Sequence, residues 1–289
     1  MVCSDCPRRC GVDRATNHGF CKMGELPVVA RAALHDWEEP PISGTRGSGA
    51  VFFSGCNMQC VYCQNREISR GGKGKEVTVE RLREIYGELI AQGAHNINLV
   101  TGSHFVRPIA ASLSPALPVP VVWNCGGYES SEALRLLDGK VQIYLPDLKY
   151  ADNALAVKYS NAPDYFETAT AAIREMFRQV GPCQTDENGL LTSGVVLRHM
   201  MLPGCVENTK KVIDWVAATF SDGDILFSFM SQYTPNGTCT ADALGRRLTP
   251  EEYAAAADYL FAAGIEDGFM QELSSAKEEY VPPFDLTGV

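Results

Sequence analysis

The chain has no run of about 18 apolar residues, so no helix is expected to span a membrane. Its first residues, Met-Val-Cys-Ser-Asp-Cys, carry no apolar signal region, and the expected location is the cytosol. Basic charge is scarce: 25 Lys and Arg stand against 35 Asp and Glu, a net charge of −10. Binding along a phosphate backbone needs a basic face, so no nucleic-acid partner is expected. Internal repeats and low-complexity tracts are also missing, which argues against a repeat array or a disordered linker. What remains is ordinary for a folded soluble domain, with 45% hydrophobic and 21% charged residues. A length of 289 residues suits one large α/β domain, or one domain with a small appendage.

Cysteine, by contrast, is abundant. There are 11, an odd number, and seven of them fall within the first 63 residues. A disulfide framework would pair its cysteines through a small secreted domain. Close-set cysteines in a cytosolic chain of this size point instead to metal thiolates.

Residues 1–25 are rich in Cys, Arg and Gly with little apolar periodicity, and read as a small metal-organised appendage. A Pro- and Gly-rich passage from Glu39 to Gly49 reads as a loop. The division that follows is a head and linker over 1–49 and a main domain over 50–289. In the main domain, short apolar runs at Ala50–Ser54, Ile97–Thr101, Val119–Asn124, Val141–Pro146, Gly194–Met200 and Ile225–Ser231 predict strands. Helices are predicted between them at Thr78–Gln92, Ser130–Leu137, Pro163–Val180 and Asn208–Phe220, with a last one opening at Thr249-Pro250-Glu251-Glu252. Strand and helix alternating in this way imply a parallel sheet with crossover helices. Six units are too few for a closed eight-stranded barrel. The expected fold is therefore α/β, a partial (β/α)6 barrel with a small N-terminal metal-binding appendage, its chemistry at the carboxyl ends of the strands.

Directly after the first predicted strand comes Cys56-x3-Cys60-x2-Cys63. Soft thiolates select iron–sulfur or zinc. Three ligands on a four-iron cluster leave one iron open, as a metal site must be to do chemistry. A zinc loop with a distant fourth ligand, or a plain electron-transfer cluster, is the alternative. Further on, Asp147 and Lys149 share one face of an extended strand. A Lys and an Arg at neighbouring strand ends can hold a carboxylate, Arg bidentately. The same Asp147, Lys149 and Arg198 could instead form a rim salt bridge worth about 0–1 kcal/mol.

The cysteine spacing, with Tyr62 just before the last cysteine, resembles the radical S-adenosylmethionine (SAM) superfamily. The resemblance runs from residue 50 to about 235 and is nearest to the pyruvate formate-lyase type of activating enzymes, which act on glycyl radical enzymes. Cys63-Gln64-Asn65, Leu145-Pro146-Asp147-Leu148-Lys149 and the Val196–Gly204 strand with its terminal Pro-Gly carry it. It implies a [4Fe–4S] cluster on Cys56, Cys60 and Cys63, with SAM chelated at the open iron. One electron then cleaves SAM to methionine and a 5′-deoxyadenosyl radical that abstracts hydrogen. By the same resemblance Tyr62 packs by the adenine, Asn65 closes the cluster loop, and Lys149 and Arg198 bind the SAM carboxylate or steady its sulfonium end beside Asp147.

Other contacts follow by position. Thr101 and Ser103 stand where many members carry Gly-Gly-Glu, whose glutamate is absent here. Asn124 can reach ribose hydroxyls or simply form a turn before two glycines. Ser228 and Gln232 alternate away from Phe227 and Phe229, toward the barrel interior. His199 alternates away from Arg198 and reads as structural. Cys125, Cys183, Cys205 and Cys239 lack metal spacing and read as ordinary thiols.

The head presents Cys3-x2-Cys6-x3-Cys10-x10-Cys21, a closed four-thiolate set for zinc, an auxiliary [4Fe–4S] cluster or a redox-active thiol group. Arg8, Arg9 and Arg14 would offset its negative charge. The opening Cys-Pro-Arg-x-Cys-Gly-Val-Asp-Arg resembles a branch of activating-enzyme homologues with such a head. The implied function is hydrogen abstraction from a protein glycine, as in a glycyl radical enzyme, or from another substrate, with a reductant such as flavodoxin or ferredoxin as partner. The rival readings are a two-cluster iron–sulfur electron carrier and a zinc-stapled interaction module.

Overall fold

The short apolar runs assemble into one ten-stranded sheet in the computed structural model, which describes residues 2–235, 237, 243–275 and 281–289. Cys239 lies outside the described residues. Strand β1 (Val28–His35) runs antiparallel to β2 (Ser48–Phe53), with the short helix α1 (Pro40–Ser43) between them. The cysteine loop follows, then α2 (Arg66–Ser69), β3 (Lys75–Glu76) and α3 (Val79–Ala91). Regular alternation continues through β4 (Ile97–Val100), α4 (Val106–Ser112), β5 (Val121–Cys125), α5 (Ser131–Leu137) and β6 (Ile143–Pro146). Helices α6 (Asn153–Ser160) and α7 (Tyr165–Val180) lead to β7 (Gln184–Thr185) and the long β8 (Leu191–Met200). The remaining elements are α8 (Val206–Thr219), β9 (Leu226–Met230), α9 (Pro250–Ala262) and β10 (Gly268–Met270).

The sheet order is β10-β9-β8-β6-β5-β4-β2-β1-β3, and every pair from β2 to β10 is parallel. The six predicted strands form the middle of this sheet in their predicted order. Local sequence explains the helix starts. Thr78 accepts from the Arg81 amide, Ser130 accepts from Ala133, and Thr249 with Glu252 forms a capping box behind Pro250.

Four strands fall outside the six-unit expectation, of which β3 and β7 are two-residue antiparallel pieces beside β1 and β8. β10 adds a seventh parallel strand, but it is three residues long and mostly exposed, so no apolar run announced it. β1 lies inside the segment read as head and linker, and pairs with β2 along six registered residues. Its Ala30, Ala32 and Ala33 carry little strand propensity, yet Ala30 and Ala32 are buried.

The two faces of the sheet pack differently. Trp123, Tyr144, Leu197, Phe227 and Phe229 join the large cluster shared with the helices. On the inner face, Val122, Ile143, Leu145 and Val196 close around Ile42 of α1. Ile42 is fully buried, a contribution of about 1.5–3 kcal/mol for such a side chain, and it plugs the amino-terminal half of the barrel. Nearer β2, Ala30, Ala50, Phe52, Ile68 and Val100 meet Phe284. Among the described residues no helix is long and apolar enough to cross a membrane.

Candidate active site

The cysteine loop leaves β2 through Ser54 and Gly55. A Cβ on Gly55 would sit 2.4 Å from Met23 and 2.8 Å from the Cys21 carbonyl, and φ is +81°, so only glycine fits. Each sulfur in the loop already has a donor. Met58 and Gln59 amides approach Cys56 Sγ at 3.3 and 3.5 Å, Ser160 Oγ donates to Cys60 Sγ at 2.9 Å, and Ser69 Oγ donates to Cys63 Sγ at 3.4 Å. Burial, then the Cys60 thiol beside it, pushes Cys56 up to about 12. Cys60 is raised by burial as well, with Lys149 opposing. These thiols therefore hold their protons until a metal displaces them. Among the described residues no three His, Cys, Asp or Glu side chains converge on a single metal-ion position. A cubane spreads its ligands over separate irons, so its cysteines need to ring a volume rather than meet at a point. Cys56 feels both Cys60 and Cys63, so the three thiols share one neighbourhood, and soft sulfur ligands with hydrogen-bond donors suit such a cluster.

Beside the loop, the strand ends bring five charged side chains together. Arg198 on β8 donates from Nε to Asp147 Oδ1 at 2.9 Å, from Nη1 to Glu38 Oε2 at 3.2 Å and from Nη2 to Asn124 Oδ1 at 2.7 Å. Lys149 Nζ donates to Asp147 Oδ2 at 2.5 Å. Asn98 and Asn124 both donate to Glu38 Oε1, at 3.0 and 3.1 Å. The fifth group is Glu39, within hydrogen-bonding reach of Ser228 on β9 and close enough to Arg198 to feel its charge.

These groups sit deep in the barrel yet are not sealed. Glu38 keeps 9% of its side-chain surface, Arg198 and Asp147 keep 14%, and Lys149 keeps 16%, so each is largely buried but retains a little contact with solvent. Burial opposes ionisation of Asp147, but Arg198 and Lys149 overcome it and hold the carboxyl below its ordinary range. For Glu38 and Glu39 burial prevails over the pull of Arg198, and both are raised. Three of the five guanidinium N–H bonds of Arg198 are placed among the described residues, which leaves capacity for a ligand.

The remaining predicted residues divide. Asn124 lies in the network, but both ends of its amide are engaged by Glu38 and Arg198. Ser228 pairs with Arg198 across β8 and β9 and faces Glu39. Tyr62 is buried in the loop, with its hydroxyl 2.7 Å from that of Tyr150 and its ring edge-on to Tyr233. Asn65 caps α2, and Thr101 takes a left-handed backbone at φ +62° at the end of β4. Ser103 turns to Glu129, which its hydroxyl bonds. Gln232 reaches Gln271 and the Met230 sulfur. His199 is buried between the Leu148 carbonyl and Thr209, the structural role expected of it. Cys125 and Cys205 are buried, and Cys183 lies against the Val195 carbonyl. Glu38, Glu39, Asn98 and Ser160 were not singled out from sequence. The signal for the glutamates was a charged pair immediately before Pro40-Pro41-Ile42, inside a passage that composition alone marks as loop.

The head packs on this loop. Cys3 and Val12 pair through their backbones, Arg9 closes a turn on Cys6, and the Phe20 amide approaches Cys10 Sγ at 3.3 Å. Cys6 feels Cys10 and Cys21, and Cys21 feels Cys3 and Cys10, so the four thiols share one neighbourhood. Burial pushes Cys6 up to about 12. Arg8 fastens the head to the cluster loop, donating to the Asn57 carbonyl at 2.7 Å and the Asn161 carbonyl at 2.5 Å while stacking on Phe20. Gln59 returns a bond to the Phe20 carbonyl at 2.7 Å. The Pro- and Gly-rich passage thus separates head and barrel along the chain but not in space.

Comparison with known proteins places this geometry. Residues 50–216 match the family described as the radical SAM superfamily. An uncharacterized protein of Methanocaldococcus jannaschii is 28% identical over 263 residues, covering 86% of this chain and 71% of its own. Streptococcus suis SuiB, solved with its precursor peptide SuiA, superposes with a TM-score of 0.50 at 11% identity, over 76% of this chain and 48% of SuiB. A domain of pyruvate-formate lyase-activating enzyme from Bacteroides vulgatus superposes at 0.39 and 13% identity, over 67% of this chain and 91% of the domain. This chain therefore spans about half the length of SuiB.

Proposed function

This chain belongs to the radical SAM superfamily, and we propose that Cys56, Cys60 and Cys63 hold its [4Fe–4S] cluster and that Asp147, Lys149 and Arg198 receive SAM beside it. Membership implies an enzyme that uses such a cluster, SAM and a reductant. When bound, the cluster supplies one electron that splits SAM into methionine and a 5′-deoxyadenosyl radical able to abstract hydrogen. The observation that carries the reading is the closeness of the charged strand ends to the cysteine loop. Lys149 lies close enough to the Cys60 sulfur to oppose its rise in pKa, and also holds Asp147 at 2.5 Å.

Within the reading the residues divide the work. Lys149 and the spare N–H groups of Arg198 take the carboxylate of SAM, while Asp147 fixes both cations. Asn124 positions Arg198 through its amide oxygen and spends one N–H on Glu38, which leaves its second N–H for ribose. Tyr62 supports the loop from beneath, through Tyr150 and Ser160 to Cys60. Thr101 stands at the end of β4, and Gln232 follows β9, where the ribose or substrate would pass. The four-cysteine head, within residues 1–49, holds a second metal, either zinc or an auxiliary cluster. The electron donor is a flavodoxin or ferredoxin, and the substrate a protein such as a glycyl radical enzyme.

One experiment separates this reading from an electron carrier. Anaerobically reconstituted protein given dithionite and SAM should release 5′-deoxyadenosine. A protein that accepts electrons yet forms none is a carrier.

A further inference from the structure

Two buried acceptors beside the Arg198 network have no donor among the described residues: Glu39 Oε2 and Asn98 Oδ1. Both belong to the neighbourhood of Glu38. Asn98 spends its amide N–H on Glu38 Oε1, and Glu39 is the next residue along. Unsatisfied polar atoms are few in folded proteins, and two in one network mark a place where a donor belongs.

Charge points the same way. Glu38, Glu39 and Asp147 gather around Arg198 and Lys149, three carboxylates to two cations. Arg198 and Lys149 serve Asp147 and Glu38 by direct bonds, which leaves Glu39 as the surplus acid. Ser228 answers one side of the Glu39 carboxyl, but Oε2 has no donor among the described residues, and a guest that brings one would complete it.

Depth separates this guest from SAM. Lys149 and Asp147 follow the end of β6, at the mouth beside Cys60. Arg198 points its Nε toward Asp147 and its Nη1 toward Glu38, so it stands between the mouth and the glutamates. Asn98 lies two positions before Val100, where β4 ends, and pairs with Ala50 and Val122 in the body of the barrel. The Asn98 acceptor is therefore below the SAM-binding set, while Glu39 reaches Ser228, which is level with Arg198 on the far side of the network.

We propose that Glu39, with Asn98 and Glu38, is the receptor for a cationic donor group of the substrate, a guanidinium or alkylammonium such as an arginine or lysine side chain. This rests on the radical SAM reading for the identity of the cavity, and it names the chemistry of what enters. Glu39 supplies the charge, Asn98 Oδ1 accepts a second N–H, and Glu38 holds both in place while tying them to Arg198.

The test uses the full-length reconstituted protein with saturating SAM and no reductant. L-Argininamide, L-lysinamide and neutral L-norleucinamide are titrated by calorimetry. At least one cationic probe should bind about tenfold or more tightly than norleucinamide. Glu39→Gln should abolish that preference, Glu39→Asp should retain part of it, and both should keep SAM affinity within about twofold of the parent. Equal binding of all three probes to the parent protein overturns the proposal. So does a loss of SAM affinity in Glu39→Gln as large as the loss of probe affinity, which would assign the carboxylate to SAM. Should Glu39→Gln fail to fold, Glu39→Asp and the parent comparison still decide it. Formation of 5′-deoxyadenosine by the parent protein is measured alongside, so a failed probe preference with intact SAM cleavage removes this inference alone.

Discussion

Seven cysteines divide into two groups that share a chemistry and differ in surroundings. Cys60, in the group with Cys56 and Cys63, feels Lys149, which bonds Asp147 and through it meets Arg198. Cys3, Cys6, Cys10 and Cys21 are wrapped in their own backbone turns and meet the barrel through Arg8, Arg14 and Gln59. Spacing makes both groups candidates for metal ligation. Only the neighbours say which group does chemistry and which closes its coordination sphere, since three ligands leave a position open and four do not.

The largest effect expected from this contrast is the loss of SAM cleavage when Cys56, Cys60 and Cys63 are all changed to Ala. Release of 5′-deoxyadenosine should fall to that of a protein-free control, and the iron that responds to SAM in electron paramagnetic resonance should vanish. Any metal in the head should remain. An unchanged SAM-responsive iron signal would erase the distinction between the groups.

Glu129 lies beside the head and offers a sharper probe of its seat. Its side chain is buried against Ser103, with the charge of Glu129 felt by Cys6 in the head and Cys125 on β5. Burial raises its pKa from 4.5 to about 7, with Ser103 and Cys125 opposing. A carboxyl raised by folding holds its proton longer in the folded state than in the unfolded one. Its contribution is thus fully present below 4.5 and is lost as pH rises toward about 7, a change on the order of 3 kcal/mol. Glu129→Gln carries no titrating proton, so the variant should lose less stability than the parent between pH 4.5 and 8 in denaturant unfolding. Parallel stability curves would show that Glu129 is charged and compensated in the folded protein.

On the barrel side, Lys149→Ala and Arg198→Ala should leave iron content intact and weaken SAM binding by about 1.5–3 kcal/mol each, roughly 10- to 150-fold. Arg198→Ala should also cost more stability, because it strands Glu38 and Asp147 together. Unaltered SAM affinity in both variants would return the strand-end set to a salt bridge without a ligand.

Much of this was legible because it is local. The six central strands, the caps at Thr78, Ser130 and Thr249, and the cysteine loop after β2 each follow from a few consecutive residues. What escaped depends on distant partners. The alanine-rich β1 is a strand because β2 lies beside it, and β10 because β9 does. Glu38 and Glu39 read as loop residues before two prolines. They become interior groups only when Ile42 seats α1 in the barrel and carries them to Asn98, Asn124 and Arg198. Asn124 was placed at the site by position, but its engagement at both ends required knowing Arg198 and Glu38 together.

The smallest expected effect concerns the head's share in the chemistry. Changing Cys3 and Cys6 to Ser should remove the head's metal and leave cleavage of SAM by dithionite unchanged. Four thiolates offer no open position for SAM, and the barrel carries its own ligand set. Metal binding of this kind is coupled to local folding, so hydrogen exchange should accelerate first over residues 2–25. Arg8 complicates a clean separation, because its bonds to the carbonyls of Asn57 and Asn161 join the head to the cluster loop. Retained cleavage with loss of one zinc would make the head a structural staple, whereas retained cleavage with loss of about four irons would make it an auxiliary cluster. If cleavage disappears while the barrel stays folded and keeps its own cluster, Arg8 transmits the head's order to Cys56, and the two cysteine groups form one functional unit.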